Sequence, residues 1–269
     1  MEMIAASKMR RAQQATLASR AYAEKSWEVL TFLASQPGRS KLLHPLLEER
    51  HTINSILVVL VTSDRGLCGA YNVNIIRAAT DFARQQNKPV RFITIGQRGA
   101  NFAARYGKEI VAGFTGLSDR PSILDVGPIS KIAIDEFLKG QADEVYIAYT
   151  DFVNTLVQRP TVRLLLPIRP ARESREGASA VYLYEPDPET ILSSVLPRFT
   201  EMQIYQALLE AVASEQSARM VAMRNATDNA HELIEDLTLA MNKARQASIT
   251  KEMLEIAGGA EAQRQARAA

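Results

Sequence analysis

Residues 190–257 read TILSSVLPRFTEMQIYQALLEAVASEQSARMVAMRNATDNAHELIEDLTLAMNKARQASITKEMLEIA. They contain one proline, Pro197 near the start, and the first glycines come only at Gly258-Gly259. Uninterrupted helix over this stretch is about 100 Å long at about 1.5 Å per residue. A globular helix averages only about three turns, so such a length needs its own explanation. Counting from Met202 in steps averaging about 3.5 residues gives Tyr205, Leu209, Val212, Gln216, Arg219, Met223 and onward to Leu254. Thirteen of those sixteen positions are apolar, which predicts a sustained coiled-coil seam. The seam tapers to Ala240, Ala244 and Ala247 in its second half. Small seam residues demand a partner helix that approaches closely.

The other end of the chain supplies that partner. Met1 to Ser35 has no Gly or Pro until Pro37-Gly38 and is rich in Ala, Met, Gln, Lys and Arg, all good helix formers. Its apolar residues are mostly small: Ala5, Ala6, Ala12, Ala15 and Ala18. Residues 1–52 carry a net charge of +3 and residues 188–269 a net of −3, a bias that suits antiparallel pairing.

Between the arms the pattern changes. Ile53–Thr62 is a β-branched apolar run, and Ser63-Asp64-Arg65-Gly66 follows as a turn. Helix is expected at 71–86, 97–106 and 128–140, and strand at 90–96, 109–114, 144–149 and 161–167. Residues 171–180 read as an exposed loop. Alternation of this kind predicts a parallel or mixed sheet with helices packed on it. The expected fold class is therefore α+β or α/β. A long antiparallel coiled coil, residues 1–52 with 188–269, carries a small Rossmann-like α/β domain, residues 53–187.

The composition excludes several functions. No apolar run approaches the roughly 20 residues of a membrane-spanning helix, and no signal peptide is visible. Cys68 is the only cysteine, so an intramolecular disulfide is impossible and a reducing compartment is expected. A net charge of +2 gives no argument for nucleic acid.

The first strand's loop, Ser63 to Gly69, lies where an α/β protein would hold phosphate. It has neither Gly-x-Gly-x-x-Gly nor a following Lys-Ser/Thr, so a tight turn with a buried Cys68 is expected. His44, His51 and His231 fall outside the α/β segment, leaving Cys68 no base. No metal-ligand spacing exists. Neither a catalytic residue, a cofactor nor a metal is expected.

Five segments, in order along the chain, carry a resemblance. They are Met1–Arg10 (MEMIAASKMR), Ser63–Asn72 (SDRGLCGAYN), Tyr184–Asp187 (YEPD), Ser214–Met223 (SEQSARMVAM) and Asn242–Thr250 (NKARQASIT). Together they resemble the signatures of gamma subunits of F-type ATP synthases. The resemblance implies a rotor shaft without a catalytic site of its own, coupling proton flow through a membrane ring to ATP synthesis or hydrolysis. The implied partners are the alpha and beta subunits of the catalytic ring, the epsilon subunit and the ring of c subunits. The implied location is peripheral, on the cytoplasmic side of a bacterial cell membrane, reached only through the c ring. Met1, Arg245 and Gln246 are implied to face the beta subunits, and Tyr184 and Glu185 to lie near the c ring and epsilon.

One departure is that family members carry some twenty-odd further residues before Met1. That segment is expected to pack beside Arg224–Thr250, and its absence reflects a mis-called start or a truncation. The regulatory cysteine pair of chloroplast relatives is also missing. Two other readings of the residues remain: a nucleotide-binding α/β enzyme with helical arms, and a non-catalytic coiled-coil tether.

Overall fold

The structure is a computed structural model describing residues 1–35, 44–50, 52–169 and 188–268. Helix α1 spans Glu2–Ser35 and helix α5 spans Pro188–Ala268. Between them come a 3-10 turn at Pro45–Leu47, β1 (Ile56–Val61), α2 (Tyr71–Gln85), β2 (Val90–Ile95) and α3 (Gln97–Arg105). Then follow β3 (Ile110–Phe114), α4 (Ile123–Leu138), β4 (Glu144–Phe152) and β5 (Gln158–Leu166).

The strands form one sheet in the order β3-β2-β1-β4-β5. Strands β1 to β4 run parallel, with Ile56 opposite both Val90 and Glu144, and β5 runs antiparallel to β4. The fully buried, β-branched strand β1 lies at the centre, as its continuous apolar run requires. Its Leu57, Val59 and Val61 face a core closed by α4 and α5, through Val126, Ile129, Leu196, Phe199, Ile204 and Leu208. Its Ile56, Val58 and Leu60 face a smaller core under α2 and α3, with Ile75, Ala79 and Phe102.

Helices α1 and α5 are in contact. Among the α1 side chains described, up to residue 18, the buried ones are Ala5, Met9, Ala12 and Thr16, spaced four, three and four apart along one face. The chain divides within α5 into two compact units, Met1–Ala222 and Met223–Ala269. In the first unit α5 is enclosed on more than one side, since Ala207, Leu208, Leu209, Glu210 and Ala211 are consecutive and buried. In the second unit every residue from Arg224 to Arg267 is exposed.

Strand β1 begins at Ile56, three residues late, and β4 ends at Phe152, three residues beyond expectation; three further boundaries differ for local reasons. Helix α4 begins at Ile123, not at Pro128, because Ser122 and Asp125 form a capping box: the Ser122 N–H donates to the Asp125 carboxylate at 2.8 Å. Pro128 then sits one turn inside the helix. Strand β5 begins at Gln158, three residues early, since Pro160 is tolerated on an edge strand. Helix α5 runs through Gly258-Gly259, whose flanking Ala, Glu, Gln and Arg residues offset the roughly 1 kcal/mol each glycine costs. Residues 171–180, with Tyr184 and Glu185, lie outside the described residues.

Candidate functional site

The topology singles out one place on the sheet. From β1 the chain crosses through α2 to β2 on one side, and through α4 it reaches β4 on the other. The two crossovers pack on opposite faces. In open α/β sheets the crevice at such a reversal, beyond the carboxyl ends of the strands, is where ligands bind. Here its walls are the Ser63–Gly69 loop after β1 and the end of β4 with the turn that follows.

The polar side chains of Ser63 and Asp64 are engaged by the loop and by the elements around it. The Asn72 Oδ1 accepts the Ser63 N–H at 3.0 Å, and its Nδ2 donates to Ser63 Oγ at 2.7 Å. The same Nδ2 lies 3.2 Å from Cys68 Sγ. The Ser63 hydroxyl donates to the Arg65 carbonyl at 2.6 Å. Asp64 is engaged at both oxygens, accepting the Gln97 N–H at 2.8 Å and the Gly116 N–H at 2.9 Å. Cys68 is buried, as the tight-turn reading expects. Leu67 takes a φ of 62° at the loop tip, a conformation costly for a side chain with a Cβ.

Helix α5 enters the crevice. Ser214 Oγ donates to the Thr150 carbonyl at 3.0 Å, and Ser217 Oγ to the Thr155 carbonyl at 2.7 Å, both on the β4 side. On the β1 side, Arg219 Nη2 donates to the Gly66 carbonyl at 3.3 Å while its Nη1 pairs with Glu215 Oε1 at 2.7 Å. From the first turn of α2, the Tyr71 hydroxyl donates back to the Ala211 carbonyl at 3.2 Å. Burial, then the charges of Glu215 and Cys68, hold the Tyr71 phenol well above its ordinary value, so it stays a donor. Burial also raises Glu215, with Asp119 and Asp64 adding to the effect and Arg219 opposing it. The exposed end of this cluster continues to α1, where Lys8 Nζ meets Asp119 Oδ2 at 2.5 Å.

The sequence does not disclose this arrangement. Gln216 and Arg219 appear there only as polar interruptions in a seam. The signal that could have found them is the loss of apolar character at two adjacent seam positions within SEQSARM. Of the residues the resemblance implied, Met1 lies exposed at the start of α1, and Arg245 and Gln246 lie exposed in the second unit. Among the described residues no three His, Cys, Asp or Glu side chains cluster so as to hold a metal ion.

The family model described as ATP synthase matches residues 1–263. The ATP synthase gamma chain of Dehalococcoides mccartyi strain 195 is 52% identical over 262 residues, covering 97% of this chain and 91% of that one. That of Roseiflexus sp. strain RS-1 is 49% identical over 267 residues, with the same coverage. In fold, the chain is similar to one in the central stalk and c-ring of the Tetrahymena thermophila mitochondrial ATP synthase. The TM-score is 0.65 at 22% identity, covering 84% of this chain and 97% of that one. A chain from the Euglena gracilis mitochondrial ATP synthase gives a TM-score of 0.62 at 17% identity, covering 99% of this chain and 93% of that one. A sheet whose ligand crevice is filled by the chain's own long helix, and half-identity to gamma chains over nearly the whole length, lead to one assignment. The chain belongs to the ATP synthase family as a gamma chain, the non-catalytic rotor subunit of the central stalk.

Proposed function

We propose that α5 beyond Met223 stands inside a ring of alternating alpha and beta subunits, while the α/β domain engages epsilon and the c ring. Proton flow through the c ring turns the chain, and the turning shaft presents different side chains to each beta subunit in succession. Each presentation favours a different beta conformation, so rotor angle and nucleotide affinity are coupled by differential contact energy. Met1, Arg245 and Gln246 face the beta subunits, and Tyr184 and Glu185 lie toward epsilon and the c ring. The chain meets the membrane only through that ring, and no helix among the described residues is long and apolar enough to cross a bilayer.

One observation carries this reading. From Arg224 to Arg267 the helix is exposed throughout, and it displays Leu233, Ile234, Leu237, Met241, Ile249, Met253, Leu254 and Ile256. Apolar side chains in that number mark a surface made to be enclosed by other protein.

The test is reconstitution with alpha, beta, epsilon and c subunits in vesicles, with a cysteine at Gln246 and another on beta. The expected result is ATP synthesis under an imposed proton gradient and a cross-link between the two cysteines that arrests it. Tight ATP binding by the isolated chain, without assembly, would support the nucleotide-binding enzyme instead. Self-association through α5 with indifference to alpha and beta would support the tether.

A further inference from the structure

We propose that the crevice in which such sheets take up a ligand has become a socket for α5, and that Ser214, Ser217 and Arg219 are the positioning residues that pass torque between sheet and shaft. The inference rests on the rotor reading above and adds where the turning force crosses from the α/β domain into the helix.

Ser214 and Ser217 have no exposed surface and Arg219 is 8% exposed, although apolar residues of similar volume would hold a helix against a sheet at least as firmly. Apolar contact is non-directional, so it resists separation better than it resists slip. A hydrogen bond to a fixed main-chain carbonyl is directional, weakening steeply as its angle opens. Each of the three side chains donates to such a carbonyl: Thr150, Thr155 and Gly66.

Their placement around α5 matters as much as their number. At about 100° per residue, Ser217 and Ser214 project about 120° and 60° to one side of Ala211, where Tyr71 attaches, and Arg219 about 80° to the other. The α/β domain therefore holds the helix over roughly 200° of its circumference. Rotation of α5 in one sense strains the bonds to the β4 side, and rotation in the other strains the bond from Arg219 to Gly66. The ion pair of Arg219 with Glu215, one turn back on the same helix, holds the guanidinium in its pose.

The experiment uses the assembled complex, with a bead on the α/β domain at Arg105→Cys and α5 arrested by the Gln246–beta cross-link. The angular spread of the bead then reports slack between domain and shaft. Relative to the parent, the triple variant Ser214→Ala, Ser217→Ala, Arg219→Ala is expected to broaden that distribution. It is also expected to lower the number of protons pumped per ATP hydrolysed in vesicles. An unchanged spread and an unchanged proton-to-ATP ratio would overturn the proposal. If the triple variant does not assemble, Ser217→Ala and Arg219→Ala are read singly: broadening in either supports it, and parental spread in both overturns it. A parent complex whose bead never rotates before cross-linking would instead overturn the rotor reading itself.

Discussion

The Arg50 guanidinium and the Asp143 carboxylate meet at 2.8 Å across the amino-terminal edge of the sheet, tying the segment before β1 to the start of β4. The same guanidinium donates to the Phe137 carbonyl at 2.6 Å and lies 5.1 Å from the centre of the Phe137 ring. Asp143 Oδ2 also accepts the Asn54 and Ser55 N–H groups, at 2.7 and 3.0 Å. One carboxylate thus holds the chain at the point where it turns into the central strand.

Burial alone would raise Asp143, but the Asn54 and Ser55 N–H groups and the Arg50 guanidinium outweigh it, and its pKa is lowered. A folded-state pKa below the unfolded value, about 3.9, means stabilisation that is complete above that pH. It is lost as pH falls through the folded value. Asp143→Asn is expected to cost about 1–3 kcal/mol near neutrality, with the difference from the parent narrowing toward pH 3. Urea melts across that range check it, and a parallel offset at every pH would contradict it.

Asp64→Ala removes the acceptor for the Gln97 and Gly116 N–H groups together. A loss of about 1–3 kcal/mol is expected, from two backbone donors left without their partner. Asp64→Asn, which keeps one carbonyl acceptor, should recover part of it. Chemical denaturation midpoints of the three proteins are the measurement.

Gly96 has a φ of 94°, and a Cβ there would lie 2.2 Å from the Thr62 carbonyl oxygen. Gly96→Ala is expected to destabilise by at least about 3 kcal/mol, since backbone strain and a clash with main chain act together. Gly258 has nothing within 4 Å of the same position, so Gly258→Ala should raise helicity, gaining about 0.5–1 kcal/mol locally. Circular dichroism of both variants would show opposite changes.

Arg245→Ala with Gln246→Ala is expected to leave the stability of the isolated chain within about 0.5 kcal/mol, since both side chains are exposed. In the assembled complex it should depress ATP-driven proton pumping and ATP synthesis, through lost contacts of the guanidinium fork and the amide. Normal pumping and synthesis would show that the shaft couples by shape alone.

The strands were legible wherever β-branched residues run between turn residues, as in Ile56–Val61 and Val90–Ile95. Strand β5 was half hidden because its opening, Gln158-Arg159-Pro160, is polar and carries a proline that only an edge position accommodates. Helix α4 was misplaced because Pro128 reads as a first-turn proline, while the stronger signal, Ser122 with Asp125, is a side-chain exchange that spacing alone only hints at. The crevice was invisible for a different reason. Ser214, Ser217 and Arg219 meet carbonyls between 62 and 153 residues away in sequence, and main-chain acceptors leave no mark on residue identity.

The reversed direction of β5 returns the chain to the amino-terminal edge of the sheet before α5 begins. The helix then runs the full depth of the sheet, from Leu196 in the main core to Arg219 at the opposite rim, about 35 Å. Mechanically this is a post set in a deep footing. A sideways load on the helix is balanced by two opposed reactions, one at each end of the embedded length. Their size falls in inverse proportion to that length. The embedded length from Leu196 to Arg219 therefore sets how large a bending moment the domain can resist without any one hydrogen bond bearing it alone.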